Sequence, residues 1–231
     1  MKHRLLETVA AARARESELA SICVDSPPDP EGRWRAKDHL AHLAAWRSNW
    51  ASQLETVRAG GELSPSVDED AENARIYALN RDRPAADIRA EAVSSWDRFA
   101  AAIDACSDAD LLKPHPIREG VHVWEMATGN GHEHLGQHLM FWYLGSSEEA
   151  AAESSQLWVY ELNRGVFSEP RQRAHSAYNL ACFYGRVGRP GKAVPLLRES
   201  FKGMNDLVKL ARKDPDLDPI RDDPQLRELL G

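Results

Sequence analysis

Apolar residues recur along this chain at the three-to-four-residue spacing of amphipathic helices. Leu5, Val9, Ala12, Leu19 and Ile22 fall on one face of a helix predicted over residues 3–24. The stretch DSPPDPEG at 25–32 stops it, because proline removes an N–H and fixes φ. A second helix is predicted over 36–58, with Leu40, Leu43, Trp46, Trp50 and Leu54 at its apolar positions. Gly60–Gly61 and the SPS at 64–66 end it. A short polar helical piece follows at 68–82. The third long helix begins after Pro84, a residue suited to the first helical position, and carries Ile88, Val93, Trp96, Phe99 and Ile103. A loop is expected at 107–120 and a fourth long helix at 123–144. That helix contains Gly129, Gly131 and Gly136, which cost helix stability unless close packing or a functional site uses them.

The connection at 59–83 is long. A long crossover lets consecutive helices run parallel, which favours an up-down-down-up bundle over a simple up-and-down one. The polar stretch at 145–155 leads into a helix through about residue 166. After Pro170 the pattern gives two helices around a turn at Gly188–Gly191. Leu180, Ala181, Tyr184, Gly188, Ala193 and Leu197 match the small-and-large spacing of a tetratricopeptide unit. One such unit needs neighbours to bury its face, so it should lean on the helix at 149–166, on the C-terminal helices or on the bundle. The expected fold class is all-α: an up-down-down-up four-helix bundle over 1–146, then a small tetratricopeptide-like helical domain over 147–231.

The 231 residues carry a net charge of −7, which does not attract phosphate backbones or anionic membranes. Nucleic acid and membrane are therefore not expected partners. Cys23, Cys106 and Cys182 are odd in number and far apart, which points to a reducing compartment. The first 21 residues carry charges throughout and lack the apolar region of a signal peptide, and the longest apolar run, Leu139–Leu144, is too short to span a bilayer. A cytoplasmic protein is expected. Asp214, Asp216 and Asp218 have the spacing of the first ligands of a calcium loop. Pro219 and Gln225 stand where that loop needs glycine and glutamate, so these aspartates read as helix caps.

The candidate chemistry lies in three of nine histidines. His134 and His138 are four residues apart, so they project from one helix face a turn apart. Trp142 continues the stripe and Leu135 and Leu139 flank it, which turns the pair toward the apolar side. His42 shares a face with Trp46 on the second helix. Buried imidazoles need partners for their polar atoms, and three of them on two helices can meet that need through a metal. Three protein ligands leave a position open, as catalytic sites do. His39 and His132 are alternatives for a ligand or a supporting role, with His132 off the 134–138 face. Glu133 is turned away by its helical phase, and Asp38 reads as a cap or a group supporting a ligand. Trp34, Trp46, Trp50, Trp96, Trp124 and Trp142 are core residues or the lining of a hydrophobic pocket. No GxSxG, P-loop, GxGxxG or CxxC motif occurs, so those chemistries have no support.

WRAKDHLAHLAAW at 34–46, followed by GNGHEHLGQHLMFW at 129–142, resembles the DinB-like superfamily, and within it the ClbS/DfsB branch. The resemblance covers roughly residues 1–146. It implies an up-down-down-up bundle and a divalent-metal triad at His42, His134 and His138, with zinc or nickel the usual ion. Some members of the superfamily use thiol cofactors in transfer or isomerisation, and the namesake of the branch hydrolyses a cyclopropane warhead to protect its producer. The expected function is a metal-dependent hydrolase or transferase acting on a small electrophilic or antibiotic-like compound. The alternatives are a non-catalytic interaction protein using the tetratricopeptide-like unit, or a stress protein that sequesters a ligand. The partners expected are a small-molecule substrate or ligand and a protein or peptide at the C-terminal unit, with a homodimer left open.

Overall fold

The computed structural model describes residues 1–63 and 68–231, and the SPS expected to help end the second helix lies outside them. Among the described residues the chain is all-α, with twelve α-helices and one 3-10 helix. It divides into two compact units, Met1–Glu148 and Glu149–Gly231.

The first unit holds α1 (Lys2–Ile22), α2 (Ala36–Arg58), α3 (Glu69–Asn80), α4 (Ala85–Asp104), α5 (Asp108–Leu111), α6 (Val123–Asn130) and α7 (His132–Gly145). Helix α1 buries Leu5, Val9, Ala12 and Leu19. Helix α4 buries Ile88, Ala92, Trp96, Phe99 and Ile103. Each large side chain so buried contributes roughly 1.5–3 kcal/mol, which is what holds these amphipathic segments as helices. Two expected core residues are not core: Val93 is 52% exposed and Ile22 42%. Val93 sits one position past Ala92 and falls off the 88–92–96–99–103 row, while Ile22 borders the cavity described below.

Helix directions follow from paired contacts. Lys37 bonds the carbonyl of Arg83, Arg47 bonds Ser95, and Arg98 pairs with Glu55, so residue numbers rise together and α2 and α4 run the same way. Helix α1 runs opposite to α4, since Lys2 meets Asp104, Arg13 meets Asp97, and Cys23 meets Ala85. Helices α7 and α2 are also opposed, with His138 against His39 and His134 against His42.

Three expected boundaries need correction. Pro84 is the N-cap of α4, one position before the first helical residue. The expected loop at 107–120 contains α5, nucleated by Ser107, whose hydroxyl accepts from the Asp110 N–H while Asp110 accepts from the Ser107 N–H. The fourth long helix is two helices, broken at Gly131 with φ −101° and ψ −114°. A Cβ on Gly131 would stand 2.7 Å from the carbonyl oxygen of Ala127 and 3.5 Å from the Phe99 ring. Only glycine lets the chain turn that tightly there.

The second unit holds α8 (Glu149–Val166), α9 (Pro170–Arg186), α10 (Pro190–Gly203), α11 (Leu207–Ala211), a 3-10 helix (Pro215–Ile220) and α12 (Pro224–Leu230). Helices α9 and α10 form a hairpin that buries Leu180, Ala181, Tyr184, Ala193 and Leu197. Gly188 makes the turn in the left-handed region at φ +68°, and Gly191 lies inside α10 instead of in the turn. Asp214 caps the 3-10 helix and Asp223 caps α12. No helix among the described residues is long and apolar enough to cross a membrane.

Candidate metal centre

The site is built on α2 and α7. Helix α2 begins at a fixed point because the Asp38 carboxylate accepts the backbone N–H of Arg35 at 2.9 Å and is gripped by its guanidinium through two further bonds at 2.8 Å. Asp38 is therefore the N-terminal clamp of α2, and it sets the phase that carries His39 and His42 inward. Helix α7 starts afresh after Gly131, so its first turns carry His134 and His138 toward α2.

His42 Nε2 and His134 Nε2, 92 residues apart in sequence, lie 3.2 Å apart. His134 Nε2 and His138 Nε2 lie 3.1 Å apart. One nitrogen of each of the three falls within 4.8 Å of the others. Two imidazole nitrogens bound to one tetrahedral zinc, each at about 2.0–2.1 Å, lie about 3.3 Å apart. The observed spacings suit that donor set. Hydrogen bonding among the rings accounts for them less well, because the Nδ1 atoms of His42 and His134 are buried without a hydrogen-bond partner. The three-histidine group could hold a metal ion.

His39 is not in that group. Its Nδ1 lies 2.7 Å from His138 Nδ1, at the edge of the His138 ring away from the three Nε2 atoms. His132 is buried but is likewise outside the group.

Burial keeps all four imidazoles neutral. Desolvation holds His39 and His42 down to about 4 and His134 to about 3, and it pushes His138 well below the ordinary value as well. Lone pairs are thus available well below neutral pH, as metal ligation requires.

Five residues after His42 on α2, Arg47 enters a buried ion pair that the sequence did not disclose. Arg47 is fully buried and bonds Glu16 at 2.6 and 3.0 Å and Ser95 at 3.0 Å. Trp96 Nε1 donates to the same carboxylate at 2.8 Å, and the guanidinium lies 4.0 Å from the Trp96 ring. The Arg47 charge further disfavours protonation of His134. A charged residue one position after Trp46 looks solvated in a sequence. The signal available was that Arg47 stands four residues after Leu43 and three before Trp50, on the apolar row of α2.

The histidines line a cavity of about 990 Å³, at the upper end of small-molecule sites. Trp34, Trp46, Trp50 and Trp142 line it, whereas Trp96 and Trp124 are buried outside its lining. The Trp34 ring lies 5.9 Å from His138, nearly parallel to it, and 5.1 Å from His42. The polar helix α3 also contributes: Tyr77 stacks on Trp34 at 6.0 Å, and Asn73 accepts the Trp46 indole N–H at 3.0 Å. Sequence reading took α3 for a connection and missed both.

A family model described as the DinB superfamily matches residues 4–141. The chain belongs to the DinB superfamily. Metal binding is frequent in that superfamily, and the three-histidine group in this member falls wholly inside the matched residues. No curated protein and no solved structure matches the chain.

A second group, Cys182, Asp214 and Asp216, also has ligand-like spacing, in the other unit. Its polar atoms are taken up locally. Asp214 accepts from Tyr178 at 2.8 Å, from Cys182 at 3.5 Å and from the Asp216 N–H at 3.0 Å, and Asp216 pairs with Arg186. Asp214 organises the end of the hairpin there.

Proposed function

We propose that this chain is a metal-dependent hydrolase or transferase acting on a small electrophilic or antibiotic-like compound, in detoxification or self-protection. The observation that carries the reading is the gathering of His42, His134 and His138, with His134 Nε2 3.2 Å from His42 Nε2 and 3.1 Å from His138 Nε2, on an aromatic-lined cavity of about 990 Å³. These three residues would hold a divalent ion, zinc or nickel. Such an ion supplies Lewis acidity toward an oxygen of the substrate or of water. The protein's own part is to bind an apolar or aromatic body against Trp34, Trp46 and Trp142 and to keep bulk water from the reacting atoms.

The finer assignment is the ClbS/DfsB branch, with α1, α2, α4 and α6–α7 as an up-down-down-up four-helix bundle. The shared direction of α2 and α4, with α1 and α7 opposed to them, supports that topology. The α9–α10 hairpin is read as a tetratricopeptide-like unit, and the protein as cytoplasmic.

The experiment is incubation of metal-loaded wild type and His42→Ala with a panel of strained-ring and other alkylating electrophiles, with and without a low-molecular-weight thiol. Turnover by wild type, lost in His42→Ala, is expected. Ligand bound but recovered unchanged would instead make the protein a sequestering binder.

A second reading rests on the hairpin lying outside the family match, which ends at residue 141. In it, α9 and α10 bind a partner helix or peptide. Loss of a co-purifying partner on deletion of residues 170–231 is its expected result, and absence of any such partner counts against it.

A further inference from the structure

His138 differs from the other two members of the triad in what holds its second nitrogen. The Nδ1 atoms of His42 and His134 are buried without a hydrogen-bond partner. His138 Nδ1 lies 2.7 Å from His39 Nδ1. At that distance one nitrogen carries a proton and the other a lone pair, since two protons or two lone pairs would repel.

The rest of the site decides which way the bond runs. His138 Nε2 is the atom that faces His134 Nε2. For it to offer a lone pair, the single proton of the neutral ring must sit on Nδ1. His39 Nδ1 must then be the acceptor, and His39 carries its own proton on Nε2. The His39 ring is held for this by edge-on contacts with Trp34 at 5.4 Å and Trp142 at 6.2 Å. The two nitrogens of an imidazole point away from opposite edges, so a His39 nitrogen engaged with His138 Nδ1 does not reach the position shared by the three Nε2 atoms.

We propose that His39 is a positioning residue that accepts a hydrogen bond from His138 Nδ1–H, fixes the tautomer and ring angle of His138, and leaves its Nε2 free to bind a divalent ion. The inference rests on the metal reading of the triad. It gives α2 two roles three residues apart: His42 binds directly, and His39 acts through His138.

The test is zinc affinity, by competition with a chromophoric chelator, of wild type, His39→Leu, His39→Asn and His42→Ala, together with the ring tautomer of His138 by nitrogen-15 NMR of the zinc-free protein, where no bound ion dictates it. Loss of a hydrogen-bond partner behind a ligand lowers metal affinity about 10–100-fold, which is the loss expected for His39→Leu. His39→Asn keeps an acceptor oxygen close to the place of Nδ1 and is expected to recover most of that loss. His138 is expected to carry its proton on Nδ1 in wild type.

Wild-type affinity in His39→Leu would overturn the inference and leave the metal reading standing. A loss in His39→Asn as large as in His42→Ala would make His39 a ligand and overturn it too. Failure of wild type to bind zinc would remove the metal reading and this inference together. Should His39→Leu not fold, the wild-type tautomer decides: a proton on His138 Nδ1 supports the proposal and a proton on Nε2 overturns it.

Discussion

Arg47 and Glu16 form a two-pronged ion pair, at 2.6 and 3.0 Å, with the guanidinium fully buried between α1, α2 and α4. Arg47 lies five residues after His42 on α2, and the pair joins three helices through Ser95 and Trp96. A buried pair adds little net stability over an apolar one of the same shape, but removing one partner strands the other charge.

Replacing Glu16 by Ala is therefore expected to cost about 3–5 kcal/mol, because Arg47 and the Trp96 N–H both lose their acceptor. Urea denaturation followed by circular dichroism measures it. The double variant Glu16→Leu with Arg47→Met is expected to recover much of the loss. A cost below about 1 kcal/mol for Glu16→Ala, the scale of an exposed pair, would contradict the buried geometry.

The neutral histidines give the metal-free protein a defined acid sensitivity. His39, His42 and His134 titrate at about 4, 4 and 3 when folded, against about 6.5 when unfolded. As pH falls through 6.5 the unfolded chain takes up protons first. The stabilising contribution is thus fully present above pH 6.5 and lost as pH falls toward 4, by up to about 1.4 kcal/mol per pH unit for each group. Denaturation of metal-free protein at half-unit steps over this window is expected to show the decline, with a shallower slope in His138→Phe. Equal slopes in wild type and variant would remove His138 from the account.

Gly131 and Gly129 should respond oppositely to alanine. The Cβ of Gly131→Ala meets the Ala127 carbonyl oxygen at 2.7 Å, so the turn must shift, at a cost of about 1–3 kcal/mol, and His134 and His138 shift with it. Gly129 has nothing within 4 Å of its added Cβ and lies within α6, so Gly129→Ala is expected to stabilise by about 0.5–1 kcal/mol. Thermal denaturation of both variants gives the two signs, and zinc affinity is expected to fall only for Gly131→Ala. Two destabilised variants would show that α6 does not have the open flank described.

The amphipathic rows made α1, α2 and α4 legible from sequence, because Leu, Ile, Phe and Trp at helical spacing have one way to leave water. The triad was legible for a related reason: His134 and His138 share a face by spacing alone, and His42 sits one turn before Trp46. The break at Gly131 was not legible. Three glycines marked strain in that segment, but where the chain turns depends on Ala127 and Phe99, contacts that exist only after packing. The role of His39 was hidden in the same way. Its spacing from His42 allowed a ligand or a support, and only the position of α7 across from it puts the two Nδ1 atoms 2.7 Å apart. Arg47 and Glu16 were hidden because a charged residue is ordinarily solvated, and neither shows its partner 31 positions away.

Metal content decides whether the three histidines form a metal centre. Untagged wild type, exposed to equimolar zinc or nickel at neutral pH and freed of loose ions by gel filtration, is expected to retain about one divalent ion per chain by elemental analysis. His42→Ala, His134→Ala and His138→Ala, each shown folded by circular dichroism, are expected to retain little or none. Wild type that keeps no ion, or a His42→Ala variant that keeps as much as wild type, would contradict a metal centre built on these three histidines.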